Sequence, residues 1–154
     1  MTYLQLVNKV LVRLRENEVT TVGENSYSKL IGEYVNDAKR SVENAWDWTG
    51  LRNTLTVDTQ ANVFNYVLTD ADNTIKILDV TNDSNNFFLQ YRASQWFDNA
   101  FLDFASVPKG TSQYYSINGI NGVDLYPIPD KAYTLRFNVV LRTTDFTNDT
   151  DPLN

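Results

Sequence analysis

The hydrophobic period of the sequence changes near Leu51, and this change restricts the fold more than any other feature. Before Leu51, apolar side chains recur every three or four residues, which is the spacing of one face of an α-helix. After Leu51, apolar and polar residues alternate in short runs separated by turns rich in Asn, Asp and Thr, as in β-strands. The pattern predicts an α+β fold: an N-terminal α-helical pair (a partial helical bundle) followed by an antiparallel β-sandwich-like domain with one inserted short helix.

These periods divide the chain into three parts. We predict an α-helical part over residues 1–51, an antiparallel β-domain over 52–145 with its helix near 94–105, and an irregular C-terminal tail over 146–154. The helix inside the β-domain is indicated by Phe97, Phe101 and Phe104, which recur at helical spacing. At 154 residues the chain is long enough to bury a substantial core.

Both predicted N-terminal helices begin with a capping signal. Thr2 and Gln5 form a capping box, so the first helix is predicted to begin directly after Thr2. Ser26 or Ser28 is predicted to cap the second helix. Gly50 lies where a glycine often ends a helix, and we predict that role for it.

A long apolar stripe runs along the second predicted helix. Helical spacing places on one side Tyr27, Leu30, Ile31, Tyr34, Val35, Ala38, Val42, Ala45 and Trp46. Two helices with faces this wide cover only part of each other, so the stripe needs a further partner. The β region, further helices and a neighbouring subunit are the candidates.

Two prolines interrupt a segment that otherwise alternates like a strand, "GVDLYPIPDKAYTLRF". Proline has no amide hydrogen for a strand ladder, so Pro127 and Pro129 remove two donors from the same edge. We predict that they block this edge against further strand pairing, while Tyr126 and Ile128 face the core. Just before them, "NGING" contains two Asn-Gly pairs, and either one can form a type I′ hairpin turn near residue 120.

The net charge of −6 is placed unevenly along the sequence. Residues 1–52 carry seven basic and seven acidic side chains, whereas residues 53–154 carry six basic and twelve acidic ones, all Asp. We therefore expect a neutral helical part and an acidic β part. An acidic surface repels DNA phosphates, which argues against sequence-specific DNA binding.

Several classes of chemistry are excluded by composition. The chain has no Cys and no His, which removes disulfides, thiolate chemistry and His-centred metal sites. Asp98 and Asp103 lie close together on the inserted helix, but five residues rotate a helix by about 500°, so these carboxylates point apart. We interpret them as solvated residues and predict no catalytic residues.

One acidic segment, "TDADNTIKILD", looks like the start of a calcium-binding loop. Its Asp70, Asp72 and Asn73 are suitable ligands, but Ile75 and Thr81 occupy the positions that need Gly and Glu. We predict an Asx-type turn instead, with no metal and no cofactor. The N-terminus lacks the features of a signal peptide and no run is long enough to span a membrane, so we expect synthesis in the cytoplasm.

Three segments together resemble one known family. They are "MTYLQLVNKVLVRLRE", "YSKLIGEYVNDAKRSVENAWDWTGLR" and "GTSQYYSINGINGVDLYPIPDKAYTLRFNVVLR". The helix pair that ends in "AWDW" and the late tyrosine strand followed by "LYPIPD" resemble, in order and spacing, the head-to-tail adaptor (connector) proteins of tailed bacteriophages. The resemblance covers nearly the whole chain.

The resemblance implies a structural virion protein that is not an enzyme. Such adaptors form a ring, usually of twelve copies, between the portal and the tail, and they extend the DNA channel. The implied partners are the portal protein, a tail or nozzle protein, other copies of the chain, and genomic double-stranded DNA that passes without specific binding; no membrane is involved. The implied location is the head-tail interface of the virion, after synthesis in the host cytoplasm.

We predict interaction residues near the ends of the elements. These are Trp48, Arg52, Tyr126, Pro127 and Pro129. Trp46 and Trp48 also have aromatic faces of the kind that stack on sugars, so a carbohydrate- or ligand-binding β-module of a phage tail protein is the alternative function. In the simpler interpretation, Trp46 continues the buried stripe and Trp48 covers the junction between helices and sheet.

Overall fold

Three α-helices and eight strands follow one another in residues 1–68, 74–119 and 121–153, the parts of the chain that this computed structural model describes. The helices are α1 (Tyr3–Arg13), α2 (Ser26–Ala45) and α3 (Ser94–Ala100). The strands are β1 (Arg52–Asp58), β2 (Asn65–Val67), β3 (Thr74–Asn82), β4 (Phe87–Phe88), β5 (Gln90–Tyr91), β6 (Tyr114–Asn118), β7 (Gly122–Tyr126) and β8 (Thr134–Arg142). This order confirms the predicted α+β fold class.

Contacts divide the chain into two units. The helical unit combines Met1–Asp47 with the C-terminal segment from Thr144 onward, and the β unit is Trp48–Thr143. The C-terminal segment is irregular in its backbone but belongs to the helical unit. The predicted Asx-type turn of Asp70, Asp72 and Asn73 and the centre of the hairpin turn at residue 120 lie outside the described residues.

The capping box of α1 is confirmed, whereas α2 begins differently from the prediction. Thr2 Oγ1 accepts a hydrogen bond from the Gln5 amide (3.3 Å), and Gln5 Oε1 accepts one from the Thr2 amide (2.9 Å). The N-cap of α2 is Asn25, not Ser26 or Ser28. The Asn25 side chain accepts from the Ser28 amide (2.8 Å), and Ser28 Oγ accepts in return from the Asn25 amide (3.2 Å). Ser28 is therefore the second member of the capping box.

The C-terminal end of α2 also differs from the prediction. α2 ends at Ala45, and the next residue, Trp46, has an extended backbone with φ −157° and ψ 161°. Gly50 lies further along, inside the short 3-10 helix Thr49–Leu51. The predicted capping role of Gly50 is wrong, because an extended residue directs the chain away from the helix without a left-handed glycine.

Apolar side chains from α1, α2 and the loop between them form the core of the helical unit. They are Tyr3, Val7, Leu11, Val19, Val22, Ile31 and Val35. The Asn8 side chain fixes the loop, since it donates to the Val19 carbonyl (2.9 Å) and accepts from the Val19 amide (3.0 Å). Gly32 allows α2 to approach closely, because a Cβ there would collide with the Tyr3 hydroxyl and lie 2.8 Å from Val22 Cγ1.

The C-terminal strap, defined as residues 144–153, completes the helical unit. Asn36 Nδ2 donates to the Phe146 carbonyl (3.1 Å), and Asn36 Oδ1 accepts from the Phe146 amide (2.9 Å). The Phe146 ring packs on the Tyr3 ring with centroids 5.4 Å apart, and Lys39 Nζ lies 5.1 Å from the Phe146 centroid. The chain's own C-terminal segment thus adds a third layer to the helix pair, which was not among the predicted partners.

Charged groups secure the rest of the strap. Two hydrogen bonds of 2.9 and 2.7 Å join the Arg40 guanidinium to the Asp145 carboxylate. Within the strap, the Asp151 carboxylate accepts hydrogen bonds from the backbone amides of Asn148 and Thr147, which lower its pKa. The strap is therefore attached by one aromatic side chain, by the buried Asn36 amide and by polar contacts nearer the surface.

The position of the strap redistributes the charge. Its acidic residues Asp145, Asp149 and Asp151 belong to the helical unit, which carries six basic and ten acidic side chains and a net charge of −4. The β unit carries seven basic and nine acidic side chains and a net charge of −2. The expectation of a neutral helical part is wrong, because the C-terminal acids belong to the helical unit, while the β unit is acidic as expected.

The β unit consists of two four-stranded sheets that share one core. Their strand orders are β1-β8-β3-β4 and β2-β7-β6-β5. The strand pairs are antiparallel except for the short pair of β5 with β6, which is parallel. Both sheets contribute to the core, which contains Val80, Leu89, Tyr115, Val123, Leu125, Tyr133, Leu135, Phe137 and Val139. The arrangement is sandwich-like, and α3 is the inserted helix.

The two prolines lie beyond the end of β7 and do not block a sheet edge. β7 ends at Tyr126 and has β2 on one side and β6 on the other, so it is an interior strand. The Tyr126–Pro127 peptide bond is cis. The Pro127 carbonyl accepts from the Ser112 hydroxyl (2.8 Å), and the Pro129 carbonyl accepts from the Asn62 amide (2.8 Å). The predicted edge-blocking role is wrong, because the strand has ended before the first proline.

We expect the substitution Gly32→Ala to lower the free energy of unfolding by about 1–3 kcal/mol, the usual cost of overpacking a filled site. The gain in helix propensity, about 1 kcal/mol, offsets only part of the collision with Tyr3 and Val22. Urea unfolding followed by circular dichroism measures the change. Gly50→Ala is the matched control, because nothing lies within 4 Å of a Cβ there. An unchanged midpoint for Gly32→Ala would contradict the close approach.

We expect Phe146→Ala to destabilise the helical unit by about 2 kcal/mol, less than the 3–5 kcal/mol typical of a fully buried Phe, because this ring is half-buried. The loss of its contact with Tyr3 should lower the thermal midpoint of the helical circular dichroism signal. Phe88→Ala serves as the control, since that side chain is 68% exposed. Equal midpoints for the two variants would show that the strap does not stabilise the helices.

Candidate interaction surfaces

α2 presents a row of apolar side chains to solvent. This outer face of α2 consists of Tyr27, Leu30, Tyr34, Ala38 and Val42, which recur at helical spacing. Tyr34 is 59% exposed and Val42 is 58% exposed. Most of the stripe predicted from the sequence is therefore uncovered in a single copy of the chain.

The face of α2 that is buried is the more polar one. It consists of Ser28, Ile31, Gly32, Val35 and Asn36, and it is rotated by about 100° around the helix axis from the outer face. Ser28 Oγ donates to a backbone carbonyl of the preceding loop (2.9 Å), and Asn36 binds the strap. Gly32 supplies the close approach to α1. Hydrogen bonds and close packing, rather than hydrophobicity alone, therefore decide which side of α2 faces inward.

The predicted residues near the start of the β unit are exposed. Trp48 precedes the 3-10 helix Thr49–Leu51 and is 45% exposed, and Arg52 is the exposed first residue of β1. Trp46, the residue after α2, is 70% exposed. The interpretation that Trp46 continues a buried stripe is wrong, because the helix ends before it and its backbone is extended.

Tyr126 lies at the centre of an aromatic cluster beneath α3. Its ring centroid lies 5.2 Å from that of Trp96, 5.8 Å from Phe101, 6.3 Å from Phe97 and 6.4 Å from Tyr114. Edge-to-face contacts of this kind stabilise aromatic clusters beyond the area they bury. Tyr126 therefore attaches α3 to the end of β7 and is only half-buried.

The other predicted residues are distributed over the β unit and do not form one site. Pro129 is fully buried, and Pro127 is half-buried next to Tyr126. Arg52 lies on β1 in one sheet, whereas Tyr126 lies on β7 in the other.

One exposed cation that the sequence did not reveal lies beside the Tyr126 cluster. The Arg92 guanidinium lies 5.0 Å from the Tyr114 centroid and 5.8 Å from the Trp96 centroid. Such cation–π contacts hold a guanidinium in place while leaving it accessible. The spacing of Arg92 and Trp96 on either side of the start of α3 was the available signal, but the contribution of Tyr114 depends on the packing of β6.

The outer face of α1 is basic. It consists of Gln5, Lys9, Val12 and Arg13, which are all exposed, and Val12 is 53% exposed. α1 contains two basic residues and no acidic one. This face lies opposite the buried side of the helix that carries Val7.

These surfaces carry exposed aromatic, aliphatic and charged side chains. In the ranges that the structure describes, no group of three or more His, Cys, Asp or Glu residues could hold a metal ion. The same ranges contain no helix with the length and apolar character needed to cross a membrane. Exposed Trp, Tyr and Arg side chains are the types that dominate binding energy at protein interfaces.

Comparison with known protein families agrees with the resemblance in the sequence. The SU10 adaptor protein family matches the chain over residues 1–154. A comparison with curated proteins found no match. Because the family match extends over the whole chain, the protein belongs to the SU10 adaptor protein family, a bacteriophage adaptor family, and is a component of the virion.

Proposed function

We propose that this adaptor assembles into a ring of twelve copies between the portal protein and a tail or nozzle protein, and that the ring extends the DNA channel. The family membership supports a structural role in the virion. The observation that carries the ring is the outer face of α2, which is apolar and uncovered in a single copy.

The outer face of α2 favours contact with another protein over exposure to water. Tyr27, Leu30 and Tyr34 are large apolar side chains, and each is at least 43% exposed. Apolar burial contributes about 25 cal/mol per Å² removed from water, so several such residues supply a useful fraction of an interface. A contact between two different surfaces, repeated by rotation, closes into a ring.

The charge of the chain is compatible with a channel through which DNA passes. Both units are negative, −4 and −2, so the phosphate backbone finds no overall attraction on either of them. A positively charged channel would bind the DNA phosphates, release their counterions and slow the passage of the DNA. An acidic channel does not bind the phosphates. We therefore include passing double-stranded DNA among the partners, without specific binding.

Cryo-electron microscopy of virions tests the ring. We expect ring density at the portal vertex into which copies of this chain fit, and we expect particles made without the chain to contain DNA-filled heads that lack tails. The control is the same particle complemented with the unmodified chain. Detection of the protein only at fibre tips, or normal tail attachment without it, would contradict the proposal.

A binding measurement tests the DNA-passage part. We expect no binding of the purified chain to double-stranded DNA even at about 50 mM salt, where phosphate contacts are strongest, because the net charge is −6. Fluorescence anisotropy of a labelled duplex provides the readout, and a polylysine peptide is the positive control. Tight binding that weakens steeply with added salt would show a cationic DNA site and contradict this part.

A further inference from the structure

We propose that neighbouring copies meet head to tail through the helical unit, with the outer face of α2 in one copy packed against the outer face of α1 in the next. The proposal rests on the ring described above and identifies the surfaces that form its subunit contact. Both surfaces belong to the same unit, so each copy presents one of each.

The border of the α2 face carries two carboxylates, with the exposed cations Lys29 and Arg40 on the same side of the helix. Glu33 and Asp37 are exposed and lie one helical turn apart, beside Tyr34 and on the side turned away from the buried face of α2. Asp37 is 3.7 Å from Arg40, whose guanidinium is already bound to Asp145 by two shorter hydrogen bonds. The apolar row is thus accompanied by two exposed carboxylates, of which Asp37 is 63% exposed.

The α1 face has the complementary character. Lys9 and Arg13 lie one turn apart on its exposed side, and Val12 lies beside them. Neither cation forms an ion pair within 4 Å among the residues described. The aliphatic stems of Lys and Arg cover apolar surface while their charged groups reach the rim of an interface. This face therefore offers one exposed apolar side chain, Val12, with both positive charges on one side of it.

Charge favours the head-to-tail arrangement over a symmetric one. A contact of α2 with α2 would place Glu33 and Asp37 on both sides of the interface, in a chain whose net charge is already −6. A contact of α2 with α1 pairs those carboxylates with Lys9 and Arg13. Like charges across an interface disfavour wrong partners, and opposite charges fix the register. When two copies join through two different faces, the pair still has one unused α1 face and one unused α2 face. Further copies can therefore be added until the ring closes.

The contact is small, which affects how it is tested. The row from Tyr27 to Val42 covers fifteen residue steps, about 22 Å of helix and about 220 Å² if the face is about 10 Å wide. A stable interface buries about 800 Å² on each partner, so this contact holds copies together only alongside others in the ring. Cross-linking inside assembled particles is therefore more informative than association of the isolated chain.

Introduced cysteines provide the test, because the chain has none of its own. Virions that carry the double variant Val12→Cys with Tyr34→Cys are treated with a short bismaleimide and examined by immunoblotting for this chain. We expect a ladder of cross-linked oligomers, since each copy links to both neighbours. Each single variant should give only the band of the uncross-linked chain, because its cysteine faces a surface of the neighbouring copy that carries no cysteine. Circular dichroism of the purified variants checks that they fold.

Charge reversal provides an independent readout. We expect Glu33→Arg or Arg13→Glu, added to the double-cysteine chain, to reduce the cross-linked fraction about tenfold, and we expect the two reversals together to restore most of it. Asp98→Arg is the matched control, because that exposed carboxylate lies on α3 in the β unit. It should leave the ladder unchanged.

Two results would overturn the inference. Dimers from Tyr34→Cys alone would show a symmetric contact of α2 with α2. A particle with a visible ring of this chain but no ladder from the double variant would show that other surfaces join the copies, and the ring itself would stand. If the double variant gave cross-linked oligomers in particles that carry this chain elsewhere than at the portal vertex, the contact between α1 and α2 would be supported and the proposed function contradicted.

Discussion

The pairing of the Asn36 side chain with the backbone of Phe146 is the contact on which the helical unit depends. An amide side chain that both donates to and accepts from one residue imitates a strand partner, and here it ties the C-terminal strap to the middle of α2. Asn36 is 4% exposed, so leaving it unpaired would cost the desolvation of a buried amide. The strap therefore gives the buried Asn36 amide its partner on the inward side of α2.

This requirement explains why the more apolar side of α2 is exposed. The inward side contains Ser28, Gly32 and Asn36, each of which has a specific partner or a specific close approach. Once these residues point inward, the geometry of the helix turns Tyr27 and Tyr34 outward. A helix that exposes its larger apolar side chains is suited to a protein that functions within an assembly, in agreement with the adaptor family.

In the β unit, too, contacts between residues that are distant in the chain hold one element in place, and here the contacts are between aromatic rings. α3 has only seven residues, too few to be stable alone, and it is held by the rings of Phe97 and Phe101 against Tyr126. The chain leaves β7 at Tyr126 through Pro127, so the aromatic cluster and the prolines mark the same point, the end of an interior strand. The exposed guanidinium of Arg92 rests on the edge of this cluster.

Short-range patterns were sufficient for the types of element and for the order in which they occur, but not for every boundary, since α3 ends at Ala100. The capping box of Thr2 and Gln5, the change of period near Leu51, and the helical spacing of Phe97 and Phe101 each depend on residues a few positions apart, so they can be recognised in the sequence. The interpretation of Pro127 and Pro129 and the position of the C-terminal acids failed because each depends on segments that are distant in the chain, whereas the assignment of Gly50 failed locally, because α2 ends at Ala45 and Trp46 is extended. Arg40 meets Asp145, and β7 receives β2 as a neighbour, only after folding. The amino-acid pattern thus contains both the apolar and the more polar side of α2, but contacts with α1, with the loop between the helices and with the strap from the other end of the chain select the more polar side for burial and leave the other exposed.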